Sequence, residues 1–359
     1  MTGRRRTLAT LTLTALVAGL ATWARTGTAG PVPGEVRPTA ARRAAPPPVA
    51  RPVPDIAGSA RLGPLLVEPD DGQGPVDRFI ARARRSVELT MYELADPAAE
   101  AALMADAARG VEVRVLLDRA DAGAAVNAPA AAALAAAGVH VTWAPAGELL
   151  HQKTVTVDGT ASLVMTGNLT ARDEPATRDL AVVDTGHGDV AAIETTFAAD
   201  VAGVPPAAGG PGTDLLWSPG SEGALLHLVD SARHTVVAES GEMDSPAVET
   251  ALEGDARRGV DVDVVMSDSP SWWPAFGALA AAGVHVHVYR GESPRYIHAK
   301  AVLVDGGRVG QRAFVGSQNF STASMRYDRE LGVVTSDPAV LSRLGSVLSG
   351  DVRGAAPWT

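Results

Sequence analysis

The chain has 359 residues, which fits one large domain or two domains of ordinary size. Hydrophobic residues make up 46% and charged residues 20%, so the sequence can bury a sizeable core. The absence of cysteine excludes disulfide scaffolds, thiolate metal sites and cysteine nucleophiles. The net charge of −10 argues against a protein that coats nucleic acid non-specifically.

The amino terminus has the order of a secretory signal peptide. Three arginines at 4–6 precede an apolar run over 7–24, and small residues at 27–29 have the character of a cleavage site. We predict a signal peptide over 1–29 and therefore secretion, with an uncleaved membrane anchor as the alternative. Cleavage would remove four arginines and no acidic residue, which changes the net charge from −10 to −14.

The remainder of the chain is two copies of one plan. The segment 86–111 resembles 235–260, and 178–183 is repeated as 329–334. A run rich in proline and glycine separates the two copies, and another run rich in proline and alanine precedes them. We predict a linker over 30–59, a first lobe over 60–203, a joint over 204–213, a second lobe over 214–352 and a tail over 353–359.

Each half alternates short β-branched runs with helical stretches. The runs 111–117 and 260–266 predict buried strands, and the stretches 98–108 and 247–257 predict helices that are each entered at a proline. This alternation predicts an α/β fold of two repeated α/β/α sandwich lobes with mixed sheets. The repeat implies a pseudo-twofold relation of the lobes, with equivalent motifs meeting at their interface.

Lysine is scarce, and its placement is informative. The chain has two lysines, Lys153 and Lys300, against 29 arginines. Each lysine follows a histidine by two residues, His151 in the first half and His298 in the second. Because the chain uses arginine for other positive charges, we infer that these positions need a compact ammonium group. A lone motif of this kind predicts a solvated strand edge, whereas two copies in a repeat indicate a site.

The same polar residues follow each motif in the same order. Two of the three asparagines in the chain, Asn168 and Asn319, occupy equivalent places after an apolar strand. A hydroxyl residue stands two positions before each asparagine, and an acid stands eleven positions after it. These further residues are Thr166 and Ser317, and Asp179 and Glu330. A histidine, a lysine, a hydroxyl, an asparagine and an acid therefore recur twice in register.

This pattern resembles the His-x-Lys-x4-Asp signature of the phospholipase D superfamily, with Gly-Ser-x-Asn downstream. The resemblance covers essentially everything after residue 60. The second copy, from His298 to Asn319, matches apart from four extra residues in the hairpin at 306–312. The first copy departs from it, with Met165 at the glycine position and Thr166 at the serine position. We expect that site to be intact and only its loop geometry to differ.

The chemistry follows from the residue types. A phosphodiester is anionic, so its site needs cations and hydrogen-bond donors aimed at the non-bridging oxygens. The candidates for that cage are Lys153, Lys300, Asn168 and Asn319, together with Thr166 and Ser317 as substrate-binding hydroxyls. By the usual order in the family, the resemblance implies that His151 attacks phosphorus and that His298 is the general acid and base. Asp179 and Glu330 are the candidates that orient the histidines. No metal or other cofactor is expected.

The aspartate of each signature, Asp158 or Asp305, precedes a glycine at a predicted hairpin turn. We therefore predict a structural role for both aspartates.

The favoured function is a secreted phospholipase D that releases phosphatidic acid and a head-group alcohol, with transphosphatidylation as a further reaction. One alternative is a nuclease, but aromatic residues make up only 4%, which does not favour a nucleic-acid channel. The others are a membrane-anchored phosphatidyl transferase of cardiolipin type and a decayed lipid-binding protein. The two complete polar sets argue against the decayed protein. We expect a phospholipid substrate, transient contact with a membrane surface and a monomer.

Overall fold

The computed structural model describes residues 62–120, 123–171, 176–204, 214–291, 293 and 295–359. The predicted signal peptide and linker, and all of the predicted joint except Val204, lie outside the described residues. The described chain forms two lobes that repeat one order of strands and helices, as the sequence predicts.

The elements of the two lobes correspond closely. The first lobe contains β1 (Leu62–Glu68), α1 (Gly74–Ala81), β2 (Ser86–Met91), β3 (Leu94–Ala95), α2 (Pro97–Ala108), β4 (Glu112–Leu117), α3 (Gly123–Ala136), β5 (His140–Trp143), β6 (Thr154–Val157), β7 (Ala161–Met165), β8 (Leu169–Thr170), β9 (Thr177–Asp184) and α4 (His187–Val201). The second contains β10 (Leu215–Ser218), α5 (Glu222–Asp230), β11 (Thr235–Glu239), β12 (Met243–Asp244), α6 (Pro246–Arg257), β13 (Asp261–Ser267), a 3₁₀ turn (Pro270–Trp272), α7 (Trp273–Ala281), β14 (His285–Tyr289), β15 (Tyr296–Ile297), β16 (Ala301–Val304), β17 (Arg312–Gly316), β18 (Phe320–Ser321), α8 (Thr322–Arg326), β19 (Glu330–Thr335), α9 (Pro338–Gly354) and β20 (Ala356–Pro357).

Each lobe is built on a mixed sheet. The strand order is β1-β9-β7-β6-β2-β4-β5 in the first lobe and β10-β19-β17-β16-β11-β13-β14-β20 in the second. In both sheets one strand, β2 or β11, pairs parallel with one neighbour and antiparallel with the other. Strand β15 belongs to the second half of the chain but pairs with β9, so the first sheet receives a strand from the other lobe.

Three layers of buried apolar side chains cover the faces of the two sheets. One layer lies between the first sheet and α1 to α3, and a second lies between the second sheet and the helices α5 to α8. The third layer contains buried side chains from β1, β7 and β9 together with β10, β17 and β19, and it includes α4 and α9. Because this third layer draws on both lobes, burial of its apolar surface holds the lobes together. No helix in the described residues has the length and apolar character to cross a membrane.

The helix after the first parallel strand of each lobe begins with the same local chemistry. Asp96 is the N-cap of α2, and its side chain accepts a hydrogen bond from the backbone N–H of Ala98. Ser245 has the same place at α6 and accepts from Val248 N–H. A proline in the first turn needs no N–H partner there, which explains why both helices start at a proline.

The two signature aspartates stabilise the backbone, which confirms their predicted structural role. The Asp305 carboxylate accepts hydrogen bonds from the backbone N–H groups of Arg233, His234 and Thr235, at 2.7–3.2 Å. Asp158 accepts three equivalent bonds in the first lobe. Both aspartates have a positive φ, of 55° for Asp158 and 52° for Asp305, at the turn that follows β6 or β16. Each aspartate therefore anchors the start of β2 or β11.

The charge of this aspartate should be measurable in the stability of the fold. Burial alone would raise the pKa of Asp305, but the three backbone N–H donors outweigh it and lower the pKa below the usual value. The stabilisation is therefore complete above the unfolded-state pKa of about 3.9 and is lost as the pH falls through the lower folded-state pKa. We predict that Asp305→Asn lowers the free energy of unfolding by about 2 kcal/mol at pH 7.

Urea unfolding from pH 7 to pH 3 measures this effect. The difference between wild type and Asp305→Asn should begin to shrink below about pH 4, where the unfolded wild-type chain binds a proton that the folded carboxylate does not yet bind. Asp230→Asn, which changes an exposed acid at the end of α5, is the matched control and should have little effect. A difference that stays constant down to pH 3 would contradict this role of the charge.

Candidate active site

The two motif histidines lie at the lobe interface, and each is paired with an acid of the opposite lobe. His151 Nδ1 is 2.9 Å from Glu330 Oε2, and His298 Nδ1 is 2.9 Å from both carboxylate oxygens of Asp179. All four side chains are buried. Such a contact fixes the ring orientation and directs the remaining ring nitrogen, Nε2, away from the acid. The structure thus brings both predicted acids to the histidines, in a crossed arrangement.

Backbone hydrogen bonds hold this crossing in place. His151 N–H donates to the carbonyl of Arg329 at 2.9 Å, and Leu150 forms a parallel β-bridge with the same arginine. In the equivalent place His298 N–H donates to the carbonyl of Arg178 at 3.1 Å, beside the pairing of β15 with β9. Each histidine is therefore attached through its own backbone to the residue that precedes its acid.

Two ion pairs, one buried and one partly buried, reinforce the same contacts. Arg178 binds Asp351 of α9 at 2.7 and 3.1 Å, and Arg329 binds Asp200 of α4 at 3.1 and 3.3 Å. Both pairs join the two lobes. Burial would lower the pKa of Arg178, but the hydrogen bonds and charge of Asp351 raise it above the ordinary value. Arg178 therefore stays charged, and the two ion pairs fix the strands that carry the acids.

The environment of Asp179 favours its ionised form. Burial alone would raise the pKa of Asp179, but the charge and hydrogen bond of His298, with Lys300 and Thr166, lower it below the usual value. A charged acid stabilises the imidazolium form of the histidine that it contacts. This suits a histidine that gains and loses a proton during a reaction.

Both lysines are fully buried beside the histidines. Lys153 Nζ donates to the carbonyl of His151 at 2.8 Å and lies 5.1 Å from the ring centre of Tyr92. Lys300 Nζ lies 3.5 Å from the carbonyl oxygen of Thr166, in the other lobe. The Tyr92 ring in turn meets the ring of His151 edge-on at 4.9 Å. The two ammonium groups are thus brought to the lobe interface, where an anionic substrate would need them.

The two asparagines differ in their contacts. Asn168 Nδ2 is 3.4 Å from Glu93 Oε2, whereas its Oδ1 is buried with no hydrogen-bond partner in the described residues. Asn319 is fully buried, and neither atom of its amide has a partner in the described part of the chain. Because a buried amide without a partner is costly, the Nδ2 group of Asn319 is suited to donate to a substrate oxygen. The role of both asparagines in the cage stays a prediction.

The two predicted hydroxyls are engaged with the protein. Thr166 Oγ1 donates to Asp179 Oδ1 at 2.6 Å and accepts from the N–H of Leu180 at 2.8 Å. Ser317 Oγ donates to the carbonyl of Leu331 at 3.3 Å and accepts from its N–H at 3.1 Å. Thr166 thus links the end of β7 to β9, and Ser317 links the end of β17 to β19. Direct binding of substrate by these hydroxyls stays a prediction.

A third hydroxyl, which the sequence analysis did not single out, supports Glu330. Ser324 Oγ donates to Glu330 Oε1 and accepts from the backbone N–H of Asn319 at 2.9 Å. Glu330 therefore binds His151 with one oxygen and Ser324 with the other. Ser324 does for Glu330 what Thr166 does for Asp179.

The methionine in the first motif does not change the pairing of the strands. Met165 pairs with Ala181 in the first sheet, as Gly316 pairs with Gly332 in the second. A side chain at Gly316 would collide with the backbone of Gly332, so the second lobe needs glycine here. In the first lobe Met165 is instead buried in the apolar layer under α1 to α3. The departure from the signature is thus accommodated by packing, with the register unchanged.

Two pairs of site residues were missed from the sequence although a signal was present. Asp200 and Asp351 are separated by 151 residues, which is also the separation of the arginines that they bind. Glu93, the contact of Asn168, is repeated as Glu242 after 149 residues, and both acids are buried. A comparison of all acids between the repeats would have found both pairs.

The sequence matches a known family at this point. Residues 76–201 and 225–351 each match the family described as "Cardiolipin synthase, PLD-like domain". The chain therefore belongs to this family of PLD-like domains, with both copies in one chain. This family belongs to the phospholipase D superfamily. No curated protein matches the sequence.

Two solved structures share the fold. A phosphatidylserine synthase from Haemophilus influenzae Rd KW20 is 13% identical and gives a TM-score of 0.64, over 84% of this chain and 90% of that chain. A polyphosphate kinase from Porphyromonas gingivalis is 18% identical and gives a TM-score of 0.61, over 79% of this chain and 49% of that chain. This chain thus spans about half the length of the polyphosphate kinase. At these identities the likeness establishes the fold alone.

We predict that Ser324 acts through Glu330. Ser324→Ala removes one hydrogen bond to a charged carboxylate, so the Glu330–His151 pair should lose its fixed geometry and kcat should fall about tenfold at unchanged KM. The matched control is Ser321→Ala. Ser321 caps the same short helix by accepting the N–H of Ser324, and this bond does not involve Glu330. Steady-state kinetics and melting curves of both variants provide the measurement. Equal losses of kcat in the two variants would contradict a specific role for Ser324.

Proposed function

We propose that the protein is a secreted phospholipase D that hydrolyses phospholipids to phosphatidic acid and a head-group alcohol. The observation that carries this proposal is the crossed pair of histidines, each held by a buried acid of the opposite lobe. Two such histidines suit a double displacement at phosphorus, because one can attack while the other handles protons. Secretion follows from the predicted signal peptide and would bring the enzyme to external lipids.

In the first step His151 Nε2 attacks phosphorus and forms an N–P bond, while the P–O bond to the head group breaks. His298, as imidazolium, gives its proton to the departing alkoxide, so that the head group leaves as a neutral alcohol. Lys153 and Lys300 stabilise the charge on the non-bridging oxygens, with Asn168 and Asn319 as donors. Glu330 stabilises the positive charge that develops on the attacking imidazole.

In the second step His298 accepts a proton from water, and the resulting hydroxide oxygen attacks phosphorus. The N–P bond breaks, which releases phosphatidic acid and restores His151. An alcohol can take the place of water in the same step and gives a new phosphatidyl ester. Asp179 stabilises the proton that His298 carries before the first step and regains in the second, because the acid is charged and bonded to its ring.

A phosphatidyl transferase is the second candidate. The matched family carries the description of a cardiolipin synthase, and one structure of the same fold is a phosphatidylserine synthase. Both reactions share the phosphohistidine step and differ only in the acceptor, water or alcohol. The nuclease reading remains the weaker alternative, because the net charge of the whole chain is −10.

Product analysis tests the lipid substrate. The full-length protein is incubated with vesicles of phosphatidylcholine and phosphatidylethanolamine, ethanol and a metal chelator, and the lipids are analysed by mass spectrometry. We predict phosphatidic acid and phosphatidylethanol, with a loss of about 10³-fold or more in His298→Ala. Predominance of phosphatidylethanol at low ethanol would identify a transferase. Intact lipids, together with cleavage of single-stranded DNA, would contradict the lipid substrate.

A second prediction concerns which histidine attacks. A nitrophenyl phosphodiester has a leaving group that needs no proton, so His298→Ala should still release about one equivalent of nitrophenol and then stop. His151→Ala should release none. Rapid-mixing absorbance measures the burst, and an acid-labile phosphoenzyme should appear in the same sample. A burst in His151→Ala and none in His298→Ala would reverse the assignment.

A further inference from the structure

A cavity opens beside the crossed histidine–acid pair of the first lobe. Its volume is about 100 Å³. The residues that line the cavity include Leu116, Ala144, Leu150, Asp200, Val204 and Arg329. Leu150 and Arg329 form the β-bridge that precedes His151 and Glu330 in the chain. The cavity therefore lies next to the active site and belongs to none of the groups assigned to the reaction.

The internal repeat supplies a reference for this cavity. In the first lobe Leu116, Ala144 and Leu150 belong to one small buried cluster, which also contains Phe197 of α4. The equivalent cluster of the second lobe contains Val265, Tyr289 and Ile297. The register of the strands establishes the correspondence, because Ala144 follows the last residue of β5 that pairs with β4, and Tyr289 follows the equivalent pair of β14 with β13. Alanine thus stands in the first lobe where the second has tyrosine.

In the second lobe the tyrosine side chain fills the equivalent space. Tyr289 is buried, and its hydroxyl donates to the carbonyl of Asp351 at 3.1 Å. A Cβ atom added at Gly354 would stand 2.5 Å from the Tyr289 hydroxyl oxygen. At Gly203, which corresponds to Gly354, an added Cβ would meet no atom within 4 Å among the described residues. The first-lobe cavity is therefore the space that a phenol side chain occupies in the second lobe.

The walls of the first-lobe cavity contain the counterpart of the residue that binds the Tyr289 hydroxyl in the second lobe. Asp200 corresponds to Asp351, so a backbone carbonyl and a carboxylate lie at the same place in the first lobe. The Asp200–Arg329 ion pair forms the polar side, and buried Leu116 and Leu150 form the apolar side. Val204 is 56% exposed, which gives the cavity an open edge. Small cavities of this kind, when lined by apolar groups, bind small aromatic molecules.

We propose that this cavity is a binding site for a small phenol-like molecule, an aromatic ring that carries one hydroxyl. The ring replaces the missing tyrosine side chain between Leu116 and Leu150, and the hydroxyl donates to Asp200. No covalent step is involved. The proposal is independent of the lipid substrate, since the cavity contains no residue of the catalytic set.

Thermal unfolding of the full-length protein in phenol tests the site, and two reciprocal variants supply the controls. Phenol should raise the melting temperature of the wild type by about 2 °C at a concentration well above its dissociation constant. Ala144→Tyr fills the cavity with the side chain of the other lobe, so this variant should not respond to phenol. Tyr289→Ala opens the second cavity, so phenol should recover part of the lost melting temperature in addition to the wild-type response.

The outcomes separate a specific site from a general solvent effect. Cyclohexane, which has the size of phenol but no hydroxyl donor, is compared at the highest concentration that dissolves, and it should give a smaller shift than phenol at that concentration. An unchanged wild-type melting temperature in phenol would overturn the proposal. Equal shifts in the wild type and in Ala144→Tyr would also overturn it. If Ala144→Tyr does not fold, Tyr289→Ala still decides, because absence of any additional phenol response there contradicts the shape argument.

Discussion

The structure depends on the exchange of acids between the lobes. Glu330 of the second lobe holds His151 of the first, and Asp179 of the first holds His298 of the second. Neither lobe alone contains an oriented histidine, so the site exists only when the lobes are joined. Burial of charged groups at such an interface costs free energy, and it is tolerated where every charge is paired. The apolar layer shared by both sheets supplies the favourable burial.

The acids of the two histidine–acid pairs are held by different side chains. Asp179 is the shorter acid, and the hydroxyl that supports it, Thr166, directly follows β7 of its own lobe. Glu330 is longer by one methylene group and reaches Ser324, which comes from the helix that follows its motif. Each acid is therefore supported by one hydroxyl, although the two hydroxyls come from different places in their lobes.

Much of this architecture could be predicted from the sequence. Prolines mark the starts of α2 and α6, and β4 and β13 each begin within one residue of the predicted strands 111–117 and 260–266. The identity of the acids also followed from their position after each asparagine. The crossing did not follow, because each acid has the same sequence relation to its own motif, and only the packed interface decides which histidine it meets. Ser324 was not predicted for another reason. The first half has Asp173 at the equivalent position, so a comparison of the two halves does not identify the serine.

Because the two lobes repeat one plan, each lobe is a reference for the other. The polar groups around the interface are retained in both copies, since Arg178 and Arg329, and Asp200 and Asp351, match in type and contact. The apolar side chains beside these ion pairs differ, because Ala144 stands where the second lobe has Tyr289, and the aromatic residue of the first-lobe cluster is Phe197 of α4. The two lobes therefore keep the same polar contacts while they fill the neighbouring apolar space with different side chains, and Ala144 lines a cavity in the first lobe.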